Sequence, residues 1–105
     1  MAITKVTSGV CGFTTHIEGS ADASLQVMLE ISSECSRIRD LADQLAQVPA
    51  LEEVSQPITE TQTYCAAATC GLHAACPVPS AILKVVEVAS GMALPADVHV
   101  TVEKG

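Results

Sequence analysis

Leu25, Val27, Leu29 and Ile31 alternate with Gln26, Met28 and Glu30. A period of two with apolar residues on one side fits only a strand whose one face is buried. A strand of this kind commits the chain to a sheet covered by something else on one side. Just before it, Phe13, Thr15 and Ile17 alternate with Thr14, His16 and Glu18, and Gly19-Ser20-Ala21-Asp22 supplies turn chemistry between the two runs. The pair reads as a β-hairpin. Ile3 to Thr7 is β-rich and reads as an edge strand, broken by Ser8-Gly9.

Helical spacing takes over after the hairpin. Ser33 is placed to cap a helix carrying Ile38, Leu41, Ala42, Leu45 and Val48 on one face, and Pro49 stops it. Leu51 to Val54 add one turn, ended by Ser55-Gln56-Pro57; Ile58 to Thr63 reads as a short strand or a loop. Tyr64 to Ala75 is Ala-rich and helical in propensity, with Gly71 as a weak point. Ser80 is placed to cap a last helix over Ala81 to Ser90, with Gly91 at C′. Val98, Val100 and Val102 alternate with His99, Thr101 and Glu103 as a final strand. The expectation is an α+β fold of one domain over residues 1–105. It is a two-layer sandwich: a small mixed sheet with an N-terminal β-hairpin, and helices on one face. Phe13 and Tyr64 are the aromatic residues, so the core must come from Val, Ile, Leu, Ala and Cys.

Twelve acidic residues against five basic ones give a net charge of −7. That argues against nucleic acid, which needs clustered Lys and Arg, and against an anionic membrane surface. No signal segment and no membrane-length apolar run is present, so a cytoplasmic location is expected. The uncovered sheet face leaves a homodimer or a protein partner as the expected contact.

The five cysteines carry the functional argument. They are odd in number and form no disulfide framework; in a reducing compartment such clusters lean toward metal or catalysis. Cys11 lies between Gly9 and Gly12, Cys35 opens the first helix, and Cys76 stands before the Pro77-Val78-Pro79 turn. The prolines stiffen the approach to the last helix and set Cys76 near its N-terminus, where a thiolate is favoured. His73 is three residues earlier, on the same face if the preceding helix reaches it. Arg39, one turn beyond Cys35, could help a thiolate there. Cys65 and Cys70, five apart, rank below these. Cys11, Cys35, His73 and Cys76 are thus a candidate ligand set for zinc or an iron–sulfur cluster, assembled from remote segments because no Cys-x-x-Cys pair exists. Core filling by small buried cysteines, with no chemistry at all, is the competing reading.

Two resemblances bear on this choice. Cys76-Pro77-Val78-Pro79, followed by a helix carrying Lys84, a glycine and a strand, resembles the Cys-Pro-x-Pro signature of the small sulfur-carrier proteins that relay persulfide during tRNA thiolation. The likeness covers about residues 76–103 and implies a persulfide-bearing role for Cys76. That family's motif follows an N-terminal strand, whereas this one follows an Ala-rich helix. Over most of the chain, Gly-Val-Cys-Gly-Phe-Thr-Thr, Ser-Glu-Cys and His-Ala-Ala-Cys-Pro-Val-Pro together resemble a family of small uncharacterised prokaryotic proteins. That likeness singles out Cys11, Cys35, His73 and Cys76 and implies no particular activity.

Overall fold

The computed structural model describes residues 1–105. Strands β1 (Ala2–Thr7), β2 (Thr14–Ala21), β3 (Gln26–Ser33) and β4 (Gln47–Pro49) form one sheet in that order. Four helices accompany it: α1 (Ser36–Gln44), α2 (Ala50–Ser55), α3 (Gln62–Thr69) and α4 (Val78–Ala89). The α+β class holds. The pairing differs from expectation, because every neighbour pair is antiparallel rather than mixed. The reason is local: β1 to β3 follow one another through tight turns, and β4 returns to β3 immediately after α1.

The alternation that opens the sequence builds the inner face. Val27 and Leu29 on β3, Thr15 and Ile17 on β2, and Ala2 and Val6 on β1 are buried together. Above them lie Ile38, Leu41 and Leu45 of the α1 segment and Val78, Ile82, Val85 and Val86 of α4. The opposite face carries Lys5, His16, Glu18, Ser20 and Glu30 and faces solvent. At these positions burial of apolar area contributes roughly 25 cal/mol per Å², and the two layers supply that burial without aromatic rings.

The hairpin turn sits later than the sequence suggests. β2 runs through Gly19-Ser20 to Ala21, and Asp22 turns the chain, its Oδ1 accepting from the N–H groups of Ser24 (2.8 Å) and Gln26 (3.0 Å). Leu25 takes the left-handed conformation, φ +59°, to close it. Gly19 is therefore a strand residue, and its role is clearance. A Cβ there would stand 2.6 Å from Val85 Cγ1 and 3.2 Å from Val27 Cγ1, and β-branched valines cannot easily rotate away. Gly19→Ala is expected to cost about 1–3 kcal/mol by overpacking. Adding Val85→Ala should recover part of that loss, so that the two effects are not additive; strict additivity in thermal or urea unfolding would contradict this contact.

Other element boundaries move as well. α1 stops at Gln44, and Gln47–Pro49 form β4 instead of extending the helix. Ser33 is not its cap: Cys35 occupies that position, its N–H bonded to Ser33 Oγ at 3.2 Å. Ile58–Glu60 is a 3-10 turn rather than a strand, and α3 begins at Gln62 with Thr61 as cap, Thr61 Oγ1 accepting from Tyr64 N–H at 3.0 Å. α4 starts two residues before Ser80, because Pro79 fits the first helical turn and needs no N–H partner there. The largest departure is the last segment: Val98, Val100 and Val102 lie in irregular, exposed chain outside the sheet.

Candidate functional site: a cysteine-lined cleft

Thr7, Thr14 and Ser33 mark one end of the sheet, being paired across β1–β2 or adjacent to the β2–β3 pairing. Three segments converge beyond this end. The first is a 3-10 turn, Gly9–Cys11, between β1 and β2. Gly9 and Gly12 both take positive φ, +79° and +72°, which is what allows so short a reversal. Ser8 N–H donates to Phe13 O at 3.1 Å and Gly12 N–H to Gly9 O at 2.9 Å, leaving Cys11 exposed at the tip.

The second segment is the β3–α1 junction. Ser33 Oγ pairs with the fully buried Thr15 Oγ1 at 2.8 Å, and it also accepts from Cys35 N–H, so Cys35 is tied to the sheet. Glu34 Oε1 accepts from Thr14 N–H at 3.0 Å. Arg39 Nη1 donates to Ser33 O (3.1 Å) and Glu34 O (2.8 Å), locking the crossover.

The third is the α3–α4 connection. α3 ends at Thr69, and Gly71, at φ +73°, terminates it; Leu72 N–H closes back on Ala67 O at 3.0 Å. The helix therefore never reaches His73. His73 and Cys76 share a turn rather than a helical face, closed by Cys76 N–H to His73 O at 3.0 Å. Arg37 Nη1 reaches across to Gly71 O at 2.8 Å and pins this turn against α1.

Together these segments enclose a cleft of about 420 Å³. Cys11, Cys35, His73 and Cys76 all line it. Cys35 and Cys76 are half-buried, while Cys11 and His73 are exposed at its mouth. Cys65 and Cys70 do not line it. Cys65 donates to Thr59 O at 3.5 Å, and Cys70 accepts from Gln44 Nε2 at 3.4 Å. As the chain is folded, no three His, Cys, Asp or Glu side chains are gathered closely enough to hold one ion. The four residues share a cleft without being closed into a coordination sphere.

The electrostatics correct one sequence expectation. Cys76 does precede α4, and the Val78 N–H favours its thiolate. Desolvation outweighs that, and Cys11 and Cys35 add mutual repulsion, so the Cys76 thiol is raised above its ordinary value. In metal-free protein, alkylation of Cys76 should therefore turn on at higher pH than in an unstructured cysteine peptide. The folded state then holds a proton that the unfolded chain releases, so this group's contribution to stability falls as pH rises from the unfolded value toward the folded one. An alkylation midpoint at or below the peptide's would mean that the helix terminus wins after all.

Sequence reasoning missed three contributors. Arg37 could have been found, because a basic residue in the first turn of a helix opposes the macrodipole and so implies another use; Arg39 was noticed only as a neighbour of Cys35. Phe13 lines the cleft at 39% exposure rather than entering the core. Ser8 also lines it, and its Oγ is buried with no hydrogen-bond partner; nothing in the sequence signals that.

A four-stranded antiparallel sheet under helices, with three cysteines and a histidine around a cleft at one sheet end, defines a small α+β protein with a thiol-rich site. The chain belongs to a family of unknown function, DUF6951, whose model matches residues 2–102. No curated protein and no solved structure matches it. The family match accords with the whole-chain resemblance, whereas the sulfur-carrier likeness of residues 76–103 has no counterpart in these comparisons.

Proposed function

We propose that the cleft is a soft-metal site in which Cys11, Cys35 and Cys76, with His73, hold zinc or an iron–sulfur cluster. The observation that carries this reading is the meeting of three thiols from three separate segments on one cleft, near enough for Cys11 and Cys35 to disfavour the Cys76 thiolate. A cation reverses that balance, since a thiol that coordinates a metal as thiolate releases its proton to solvent. The donor set suits soft or borderline metals rather than calcium or magnesium. Cys35 and Cys76 are held by backbone bonds and packing; Cys11 and His73, exposed at the mouth, have the freedom to close over an ion. Ser8 Oγ, buried and unpartnered at the cleft wall, is a polar atom that an occupant or its solvent shell would satisfy.

The test is metal and acid-labile sulfide content, with an absorption spectrum, on protein purified without oxygen. Stoichiometric zinc, or iron with sulfide, is the expected result. Metal-free protein that also fails to take up Zn²⁺ or Co²⁺ on titration would overturn the reading. A persulfide role for Cys76 is the second reading, favoured by the Val78 N–H beside its sulfur. It expects metal-free protein in which Cys76 alone accepts sulfane sulfur and Cys76→Ser abolishes that acceptance.

A further inference from the structure

The C-terminal segment and the free side of β1 are each half of the same structure. Residues Val98 to Glu103 keep a strict strand alternation, yet Val98, Val100 and Val102 are 60%, 82% and 89% exposed. No strand or helix of the chain includes them, and the molecule is drawn out to 46 Å against 28 and 25 Å in the other directions. At the other side, β1 pairs only with β2. Its outer edge is a six-residue strand, Ala2–Thr7, with no proline and no bulge to block pairing. The sheet's second edge is unsuited to the same use: β4 has three residues and ends in Pro49, which has no N–H to donate.

We propose that residues 98–103 form a fifth strand on the β1 edge of a second copy of this chain, so that two molecules exchange C-terminal strands reciprocally. Length matches length. Val98, Val100 and Val102 would continue the inner face begun by Ala2 and Val6, beside α4, which packs over β1 and carries half-buried Ala81, Val88 and Ala89. His99, Thr101 and Glu103 would continue the outer face beside Ile3, Lys5 and Thr7. There the acidic Glu103 meets Lys5, the one charged side chain on β1. A self-complementary exchange of this kind closes as a twofold dimer and leaves no further β1 edge to propagate. Gly91, at φ +80°, and Pro95 set the departure of the segment from the end of α4.

Sedimentation equilibrium on the 105-residue chain tests this. The wild-type protein should run at twice 10.8 kDa at micromolar concentration. Val100→Lys should be monomeric there, since its ammonium would have to enter the inner face, while far-UV circular dichroism stays that of a folded protein because Val100 touches no core in the single chain. Filtered NOEs in a mixed labelled and unlabelled dimer should connect Val100 of one copy with Val6 of the other. A wild-type monomer overturns the proposal, including one whose residues 98–103 are protected from amide exchange, which would mean that the segment pairs with its own sheet. A Val100→Lys protein that remains dimeric also overturns it, by placing the interface elsewhere. Metal content does not enter these readouts, so the outcome is independent of the cleft's occupant.

Discussion

Glu53→Ala is expected to lower the unfolding free energy by about 3–5 kcal/mol, the cost of leaving buried donors without their acceptor. Glu53 is 2% exposed, on α2, yet its carboxylate does the work of a helix cap for a different helix. Oε1 accepts from Gln62 N–H at 2.8 Å; Oε2 accepts from Thr63 N–H at 2.8 Å and from Thr63 Oγ1 at 2.6 Å. Two of the orphan N–H groups that open α3 are thus satisfied by a side chain about ten residues upstream. Thr61 Oγ1 takes a third, that of Tyr64. Glu53→Gln keeps the shape but turns one acceptor into a donor facing an N–H, so it should fall between wild type and Glu53→Ala. For a domain whose whole stability is about 5–15 kcal/mol, the alanine variant should melt roughly 15 °C lower or fail to fold. An unfolding midpoint within a degree or two of wild type would show that the cap is dispensable.

The second large effect concerns the cleft. If three thiolates and His73 hold the metal, Cys35→Ser and Cys76→Ser should each cost at least about two orders of magnitude in zinc affinity, judged against the ten- to hundredfold effects of changing residues that only hydrogen-bond to a ligand. His73→Ala should cost less, and Cys65→Ser and Cys70→Ser nothing, because those two lie outside the cleft. Competition with a chromophoric chelator reads all five. The serine variants should stay folded, since oxygen replaces sulfur at half-buried positions. Equal losses from Cys65→Ser and Cys76→Ser would sink the assignment of ligands. Chelation of the wild-type protein should also lower its thermal midpoint, as metal held only by the native state stabilises that state.

Periodicity carried the hairpin and the inner faces of α1 and α4, because burial on one side leaves its mark at every second or every third and fourth residue. It did not carry the boundaries. Val48 keeps the spacing of α1 but is buried as part of β4, paired with Val27, so an apolar residue at that position satisfies either pattern. Gly71 ended α3 where alanine content suggested continuation: one left-handed position outweighed a weak propensity. Gly19 looked like turn chemistry and is instead the point where α4 comes closest to the sheet, a reason visible only once Val85 is opposite. The cysteines were legible as a set from their flanking glycines, prolines and helix starts. Their convergence depends on the hairpin, the β3–α1 crossover and the α3–α4 turn all meeting at one sheet end, with Arg37 and Arg39 tying down backbone carbonyls. No local spacing encodes that meeting.

The cleft draws on residues near positions 10, 35 and 75, so a bridge from Cys11 to Cys76 would enclose most of the sequence. In the unfolded chain only His73 and Cys76 stand at chelating spacing, and the cost of closing the long loops that bring Cys11 and Cys35 to them must be met first by the core. On the proposed metal reading, the sheet and helices must dock before all four ligands can meet one ion. If the cleft holds a metal, any substitution that shifts the folding equilibrium toward unfolding, however far from the cysteines, should lower the fraction of molecules loaded at limiting metal.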